Sequence, residues 1–300
     1  MTQLIEVISE DNLILPGLLF ENNNHDQLAI WLHGTGDNGV FYKTKLINAL
    51  AKELNDHHIS FLAFNNRGAH DRKYLKNNLN PNQSFLGGWT NEIIKDCIYD
   101  INGAINLAKQ LHYSQLYLIG HSTGANKIVL YHFKNQKNSP FKKYILLGPG
   151  DDTGLQALSN EKQFLYNLQL AQKYLTQNRY FKIMPKYSHL YPMSTQSAFD
   201  MLNPDGDYNI FPYFEVMYHR LGHKKLFQEL NSIDRPTLII YGQNDEYLIN
   251  YSGVNMVKKI IKQNLSPSTL SRITFKIIES SDHSFHDHEY VLAREISRWI

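Results

Sequence analysis

The sequence predicts an α/β fold: a mostly parallel central sheet flanked by helices, with a helical cap inserted before the penultimate strand. Short apolar runs alternate with stretches of helical periodicity along most of the chain. The middle runs are rich in Ile, Leu and Phe without clean alternation, as expected of a parallel sheet covered on both faces. The rhythm breaks once, between about residues 151 and 231, where no clear strand appears.

The strands come in order. LIEVIS and LILPGLLF open the chain, and the Asn-rich ENNNHDQ (21–27) reads as a turn. QLAIWLH (27–33), ISFLAFN (59–65), QLYLIGH (115–121), KKYILLGPG (142–150), PTLIIYG (236–242) and RITFKIIES (272–280) follow. Helical patterns lie between them. FYKTKLINALAKEL sets Leu46, Leu50 and Leu54 on one side. NEIIKDCIYDINGAINLAKQL sets Ile94, Cys97, Ile98, Ile101, Ile105 and Ala108 along one stripe. TGANKIVLYHFK, SGVNMVKKIIKQN and HEYVLAREISRWI complete the set. In the interval, EKQFLYNLQLAQKYLTQNRYF is amphipathic, and a Tyr-, Phe- and Pro-rich segment follows it. That is too long for a structureless loop in a compact domain. The expected division is a core of residues 1–150 and 232–300, with residues 151–231 as a cap over the sheet's C-terminal edge.

Composition narrows the function classes. The chain has 300 residues, 42% hydrophobic and 19% charged, with a formal net charge of +2. Lys and Arg are scattered, so neither nucleic acid nor an anionic membrane is an expected partner. Cys97 is the single cysteine, which rules out an intrachain disulfide and fits a reducing compartment. The start, MTQLIEVISEDNLILPG, has no basic region followed by an apolar one. No apolar run approaches the roughly 18 residues of a membrane span. A cytoplasmic protein without stable membrane insertion is expected.

The sharpest motif is Gly120-His121-Ser122-Thr123-Gly124, set between a strand and a helix. In that context G-x-S-x-G places a serine nucleophile on a strained turn, whose neighbours two residues away must be small. The helix beginning near Thr123 points its N-terminus at the site and favours developing negative charge. This arrangement calls for an acid and then a histidine downstream. Asp245 lies just past the strand in TLIIYGQNDEYL, and His283 lies in the loop after the next strand. His283 would take the Ser122 proton, and Asp245 would hold the imidazole tautomer. Asp245 has a rival role as a helix cap, and Glu246, Asp151 and Asp152 are alternative acids. His286 and His288, which the sequence places at the start of the last helix, are alternative histidines. Upstream, His33-Gly34-Thr35-Gly36 ends a strand in a loop of small residues. The backbone N–H groups of Thr35 and Thr123 are the candidate oxyanion hole. His33 itself is read as structural.

These motifs together resemble the α/β-hydrolase superfamily with a serine nucleophile, of the esterase type. The likeness spans nearly the whole chain and also rests on Asn66-Arg67-Gly68 after the fourth strand. NNRGAHD departs from the commoner Asp-x-Arg-Gly form, with Asn65 where Asp is usual. That loop is structural in most members. The overall layout is also similar to a hydrolase family that includes fungal siderophore esterases. The resemblance implies the α/β-hydrolase fold, a Ser122–Asp245–His283 triad and no cofactor.

HSFHDH crowds Asp282, His283, His286, Asp287 and His288 onto one loop and a helix start. No second cluster supplies remote ligands, so no metal is expected. GTGDNG lacks the Gly-Lys-Ser/Thr ending of a phosphate loop. Of the cap aromatics, Tyr187, Tyr191 and Phe211 are candidates to line a substrate pocket, with Trp89 from LGGWTNE as another wall. NNLNPNQSFLGGW is read as a loop crossing near its mouth. The expected activity is hydrolysis of small to medium carboxylic esters or thioesters through an acyl-enzyme, with a small-molecule ester as the partner. A serine peptidase, an acyltransferase, or a non-catalytic binding protein on the same scaffold are the alternatives.

Overall fold

The computed structural model describes residues 1–22, 26–36, 41–185 and 192–300. The chain begins with β1 (Thr2–Ile8), β2 (Ile14–Phe20), β3 (Gln27–Leu32), α1 (Thr44–Asp56) and β4 (Ser60–Phe64). Two short strands follow, β5 (Lys73–Lys76) and β6 (Ser84–Gly87). Next come α2 (Cys97–Gln110), β7 (Gln115–His121), α3 (Thr123–Asn135) and β8 (Phe141–Leu147). Five helices then intervene: α4 (Asp152–Ser159), α5 (Glu161–Thr176), α6 (Thr195–Leu202), α7 (Tyr213–Met217) and α8 (Gln228–Asn231). The chain closes with β9 (Thr237–Gly242), α9 (Val254–Asn264), α10 (Pro267–Leu270), β10 (Ile273–Ile278) and α11 (Glu289–Trp299).

Eight strands form one sheet in the order β1-β2-β4-β3-β7-β8-β9-β10. β2 runs antiparallel to β1 and β4, and every other pairing is parallel. The eight apolar runs of the sequence are these eight strands. The continuous apolarity of the middle ones has a direct cause. In β7, Leu116 and Leu118 enter the core under α2 and α3, while Tyr117 and Ile119 enter the core under α1 and α11. In β9, Ile239 and Tyr241 take the first face, and Leu238 and Ile240 the second. Successive side chains alternate in direction, but both directions are apolar. Each fully buried Leu or Ile stabilises by roughly 1.5–3 kcal/mol relative to exposure.

The parallel register decides where the loops meet. Leu32 pairs with Gly120, His121 with Leu147, Leu147 with Ile240, and Gly242 with Ile278. The strands therefore end together on one edge. The loops after β3, β7, β8, β9 and β10 converge there, although they span some 250 residues of sequence.

One feature differs from expectation. The segment before Trp89 is no plain loop: β6 pairs antiparallel with β5 as a separate two-stranded ribbon. Between β8 and β9 the described residues form these helices joined by irregular segments, with an isolated bridge between Ile183 and Ser194. There α4 packs against α5, α6 and α7.

Candidate active site

Ser122 joins β7 to α3 with φ +57° and ψ −131°, a left-handed conformation costly for a non-glycine residue. Its amide donates to Leu147 O at 2.8 Å, and its carbonyl accepts from Ala125 N at 2.8 Å. The flanking glycines are needed for close approach. A Cβ on Gly120 would strike the carbonyl of Gly124, and one on Gly124 would strike the carbonyl of Leu32. The motif is thus a spatial requirement of the turn.

His283 lies in the loop after β10 and is buried. Its Nδ1 is 2.8 Å from Asp245 Oδ2, and Asp245 is buried behind it. The other Asp245 oxygen accepts from Tyr247 N at 3.1 Å, capping the 3-10 helix Glu246–Tyr251. One carboxylate therefore serves both roles that the sequence left as alternatives. Three more contacts fix the imidazole loop. His283 N donates to Glu246 Oε2 at 3.0 Å, His121 Nε2 donates to His283 O at 2.9 Å, and the Tyr247 ring stands 4.6 Å from the His283 ring. Burial, with the nearby His283 adding to it, pushes the His121 imidazole far below its usual range, which keeps that ring neutral. His283 Nε2 is buried and has no hydrogen-bond partner among the described residues.

Ser122 and His283 face the same cavity, of about 280 Å³. Thr35 and Gly36 supply one wall from the loop after β3, and Trp89 another. The start of α4 gives Asp152, Leu155 and Gln156, and α6 gives Met201. Thr123, Gly150 and Tyr247 complete it. Trp89 is held by Nε1, which donates to Asp71 Oδ1 at 3.0 Å. Thr35 and Thr123 are joined through their hydroxyls at 2.8 Å, and Thr123 Oγ1 is 3.0 Å from Asp152 Oδ2. Asn126 Nδ2 donates to the same oxygen at 3.0 Å. Burial pushes the Asp152 carboxyl up to about 6, against the pull of these donors and of His283 and Lys127.

The structure gathers Ser122, His283, Thr35, Thr123 and Trp89 on one cavity, with Asp245 behind His283. The rival residues are otherwise engaged. Glu246 holds the His283 amide, and Asp151 accepts from Gly154 N and Phe214 N at 2.7 Å and from Tyr251 Oη at 3.2 Å. His286 is exposed and pairs with Asp282 at 2.6 Å. It lies before α11 instead of entering it, and His288 stands at the N-cap position of that helix without a side-chain capping bond. His33 is structural: Nδ1 donates to Gly34 O at 2.9 Å and Nε2 accepts from Asn66 N at 3.1 Å. Burial pushes its imidazole down to about 3.

Phe211 is a correction. It is fully buried, packs 6.1 Å from the Tyr213 ring, and does not line the cavity. Leu155 and Met201 stand there in its place. Tyr187 and Tyr191 lie outside the described residues. Sequence reasoning weighed Asp152 only as a rival acid and missed Leu155, Gln156, Met201 and Tyr247 as walls. Among the described residues, no three His, Cys, Asp or Glu side chains are grouped as a metal ion requires. No helix there is long and apolar enough to cross a membrane.

Known proteins share this architecture. The family model described as Serine aminopeptidase, S33 matches residues 23–287. No curated protein sequence matches the chain. Among solved structures, the α/β hydrolase GrgF from Penicillium sp. sh18 superposes with a TM-score of 0.65 at 14% identity, over 99% of this chain and 96% of that one. Est1E from Butyrivibrio proteoclasticus, solved with ferulic acid bound, gives 0.61 at 13% identity, over 98% and 97%. An esterase of Pyrococcus furiosus gives 0.58 at 16% identity, over 100% and 90%. At such identities the structural likeness speaks for the fold alone, and the family match carries the assignment. The chain belongs to the serine aminopeptidase S33 family of α/β-hydrolases.

Proposed function

We propose that this chain is a serine esterase that cleaves small to medium carboxylic esters or thioesters through an acyl-enzyme. One observation carries the reading: Ser122, on its strained turn, shares a cavity with the free nitrogen of an imidazole whose other nitrogen is held by Asp245. Ser122 Oγ attacks the carbonyl carbon while His283 Nε2 takes its proton. The tetrahedral oxyanion sits against the N–H groups of Thr35 and Thr123, the latter at the N-terminus of α3. Collapse expels the alcohol or thiol, which leaves with the proton from His283. Water, deprotonated by His283, then attacks the acyl-enzyme and releases the acid.

Residues 151–231 act as a cap in this reading, with α4 and α6 limiting the acyl chain. The small cavity and its Trp89, Leu155 and Met201 walls suit short apolar acyl groups. Esterases among the structures of the same fold support ester over amide substrates. The family description favours a second reading, an aminopeptidase. A panel of 4-nitrophenyl esters from acetate to dodecanoate, beside aminoacyl 4-nitroanilides, decides between them. Wild-type turnover of short esters, lost in Ser122→Ala, is expected. Turnover of anilides alone would replace the esterase with a peptidase.

A further inference from the structure

We infer that Asp152 is a positioning residue that sets the oxyanion hole through a one-way hydroxyl relay, Thr35 to Thr123 to Asp152. The inference rests on the esterase reading above. Its ground is the arithmetic of protons. An ionised carboxylate only accepts. Thr123 has one hydroxyl proton, and it stands 3.0 Å from Asp152 Oδ2, so that proton goes to Asp152. The Thr123 oxygen is then free to accept, and the single proton of Thr35, 2.8 Å away, points to it. One carboxylate fixes the direction of both hydroxyls.

The relay joins two loops that are far apart in sequence, those after β3 and β7. These same two residues supply the proposed oxyanion N–H groups, whose spacing must suit one oxygen atom. Asp152 is itself anchored, because Asn126 Nδ2 donates to Oδ2 from α3 at 3.0 Å and Asp151 beside it caps α4. No cation neutralises it by contact among the described residues. Lys127, buried on α3, is paired with Glu92. A part-buried carboxylate held by hydrogen bonds alone is costly to keep. Two hydroxyls held in fixed orientation beside the reacting serine are a function that accounts for it.

The test is a cycle of isosteric variants that keep both backbone N–H groups: Thr35→Val, Thr123→Val and the double variant, read as kcat and KM on a short 4-nitrophenyl ester. Asp152→Ala and Asp152→Asn are read beside them. A relay predicts that each valine variant loses about tenfold or more in kcat, with KM within about twofold. The double variant loses no more than the worse single one. Asp152→Ala falls with them, and Asp152→Asn, whose amide oxygen still accepts, recovers at least tenfold over Asp152→Ala. Additive losses, or losses carried in KM alone, overturn the relay and leave the esterase reading intact. Absence of Ser122-dependent turnover in the wild type overturns both. Far-ultraviolet circular dichroism and melting of each variant separate an unfolded Asp152→Ala from an inactive one, and the valine cycle stands without it.

Discussion

Gly34 packs directly against Ser122: a Cβ placed on Gly34 would lie 2.8 Å from Ser122 Cβ and 3.3 Å from its hydroxyl oxygen. The loop carrying the proposed oxyanion donor thus touches the proposed nucleophile, and glycine is what permits it. The Gly34→Ala variant must shift either the serine or the loop. Its kcat is expected to fall at least about tenfold, since small misplacements near reacting atoms are costly. Its melting temperature should move by only a few degrees. Unchanged kcat in a folded Gly34→Ala would show that this contact does not position the serine.

Asp245→Asn separates the two roles of one carboxylate. An amide oxygen can still cap Tyr247 N, so stability should change little. The amide cannot hold His283 in the tautomer that accepts the Ser122 proton, and kcat should fall by roughly 10³–10⁴. A loss under tenfold in steady-state assays would point to another acid.

Arg67 follows β4 in the motif that lacks the usual Asp. Its guanidinium donates to Asp100 Oδ1 through Nε at 2.9 Å and Nη2 at 2.8 Å, and to Asp11 at 2.8 and 3.1 Å. Arg67 and Asp100 are both buried. Arg67→Met leaves a buried carboxylate without its partner and should cost about 3–5 kcal/mol in urea denaturation. A cost below about 1 kcal/mol would mean the network is dispensable.

Asp11 makes the same network sensitive to acid. Burial would raise its carboxyl, but hydrogen bonds from Arg67 and Ser9 hold it below the usual range. A depressed carboxyl contributes stability that is present above its unfolded value of about 3.9 and lost as pH falls through the folded one. Asp11→Asn should therefore be less stable than wild type at neutral pH, with the gap closing below about pH 4. A gap that stays constant across chemical melts from pH 3 to 7 would refute this linkage.

Leu155 forms an apolar wall of the cavity from α4. Leu155→Ala lengthens the cavity, so the preferred acyl chain should grow. Each extra methylene accommodated is worth about 1–3 kcal/mol of discrimination. The ratio of octanoate to butyrate turnover should rise at least tenfold, and no change would place the acyl chain elsewhere.

Much of the fold was readable because its physics is local. The central strands of the sheet announce themselves through apolar residues on both faces. The β5–β6 ribbon does not: KYLK and SFLG are four residues each, and only Leu75 and Gly87 are buried. Ser122 was legible because its turn demands glycines at 120 and 124. Asp245 and His283 were legible because strand ends in a parallel sheet converge. The walls were not. Leu155 and Met201 reach the cavity through the packing of α4 and α6, which no local pattern encodes. Phe211 misled for the same reason, since an aromatic residue in a core and one on a pocket wall look alike in sequence.

The central claim is that Ser122 is an activated nucleophile, and labelling of intact protein with a fluorophosphonate probe tests it most directly. Peptide mass spectrometry should find the label on the peptide that holds Ser122 in wild type and nowhere in Ser122→Ala. Label at another residue, or none on folded protein, would contradict the account.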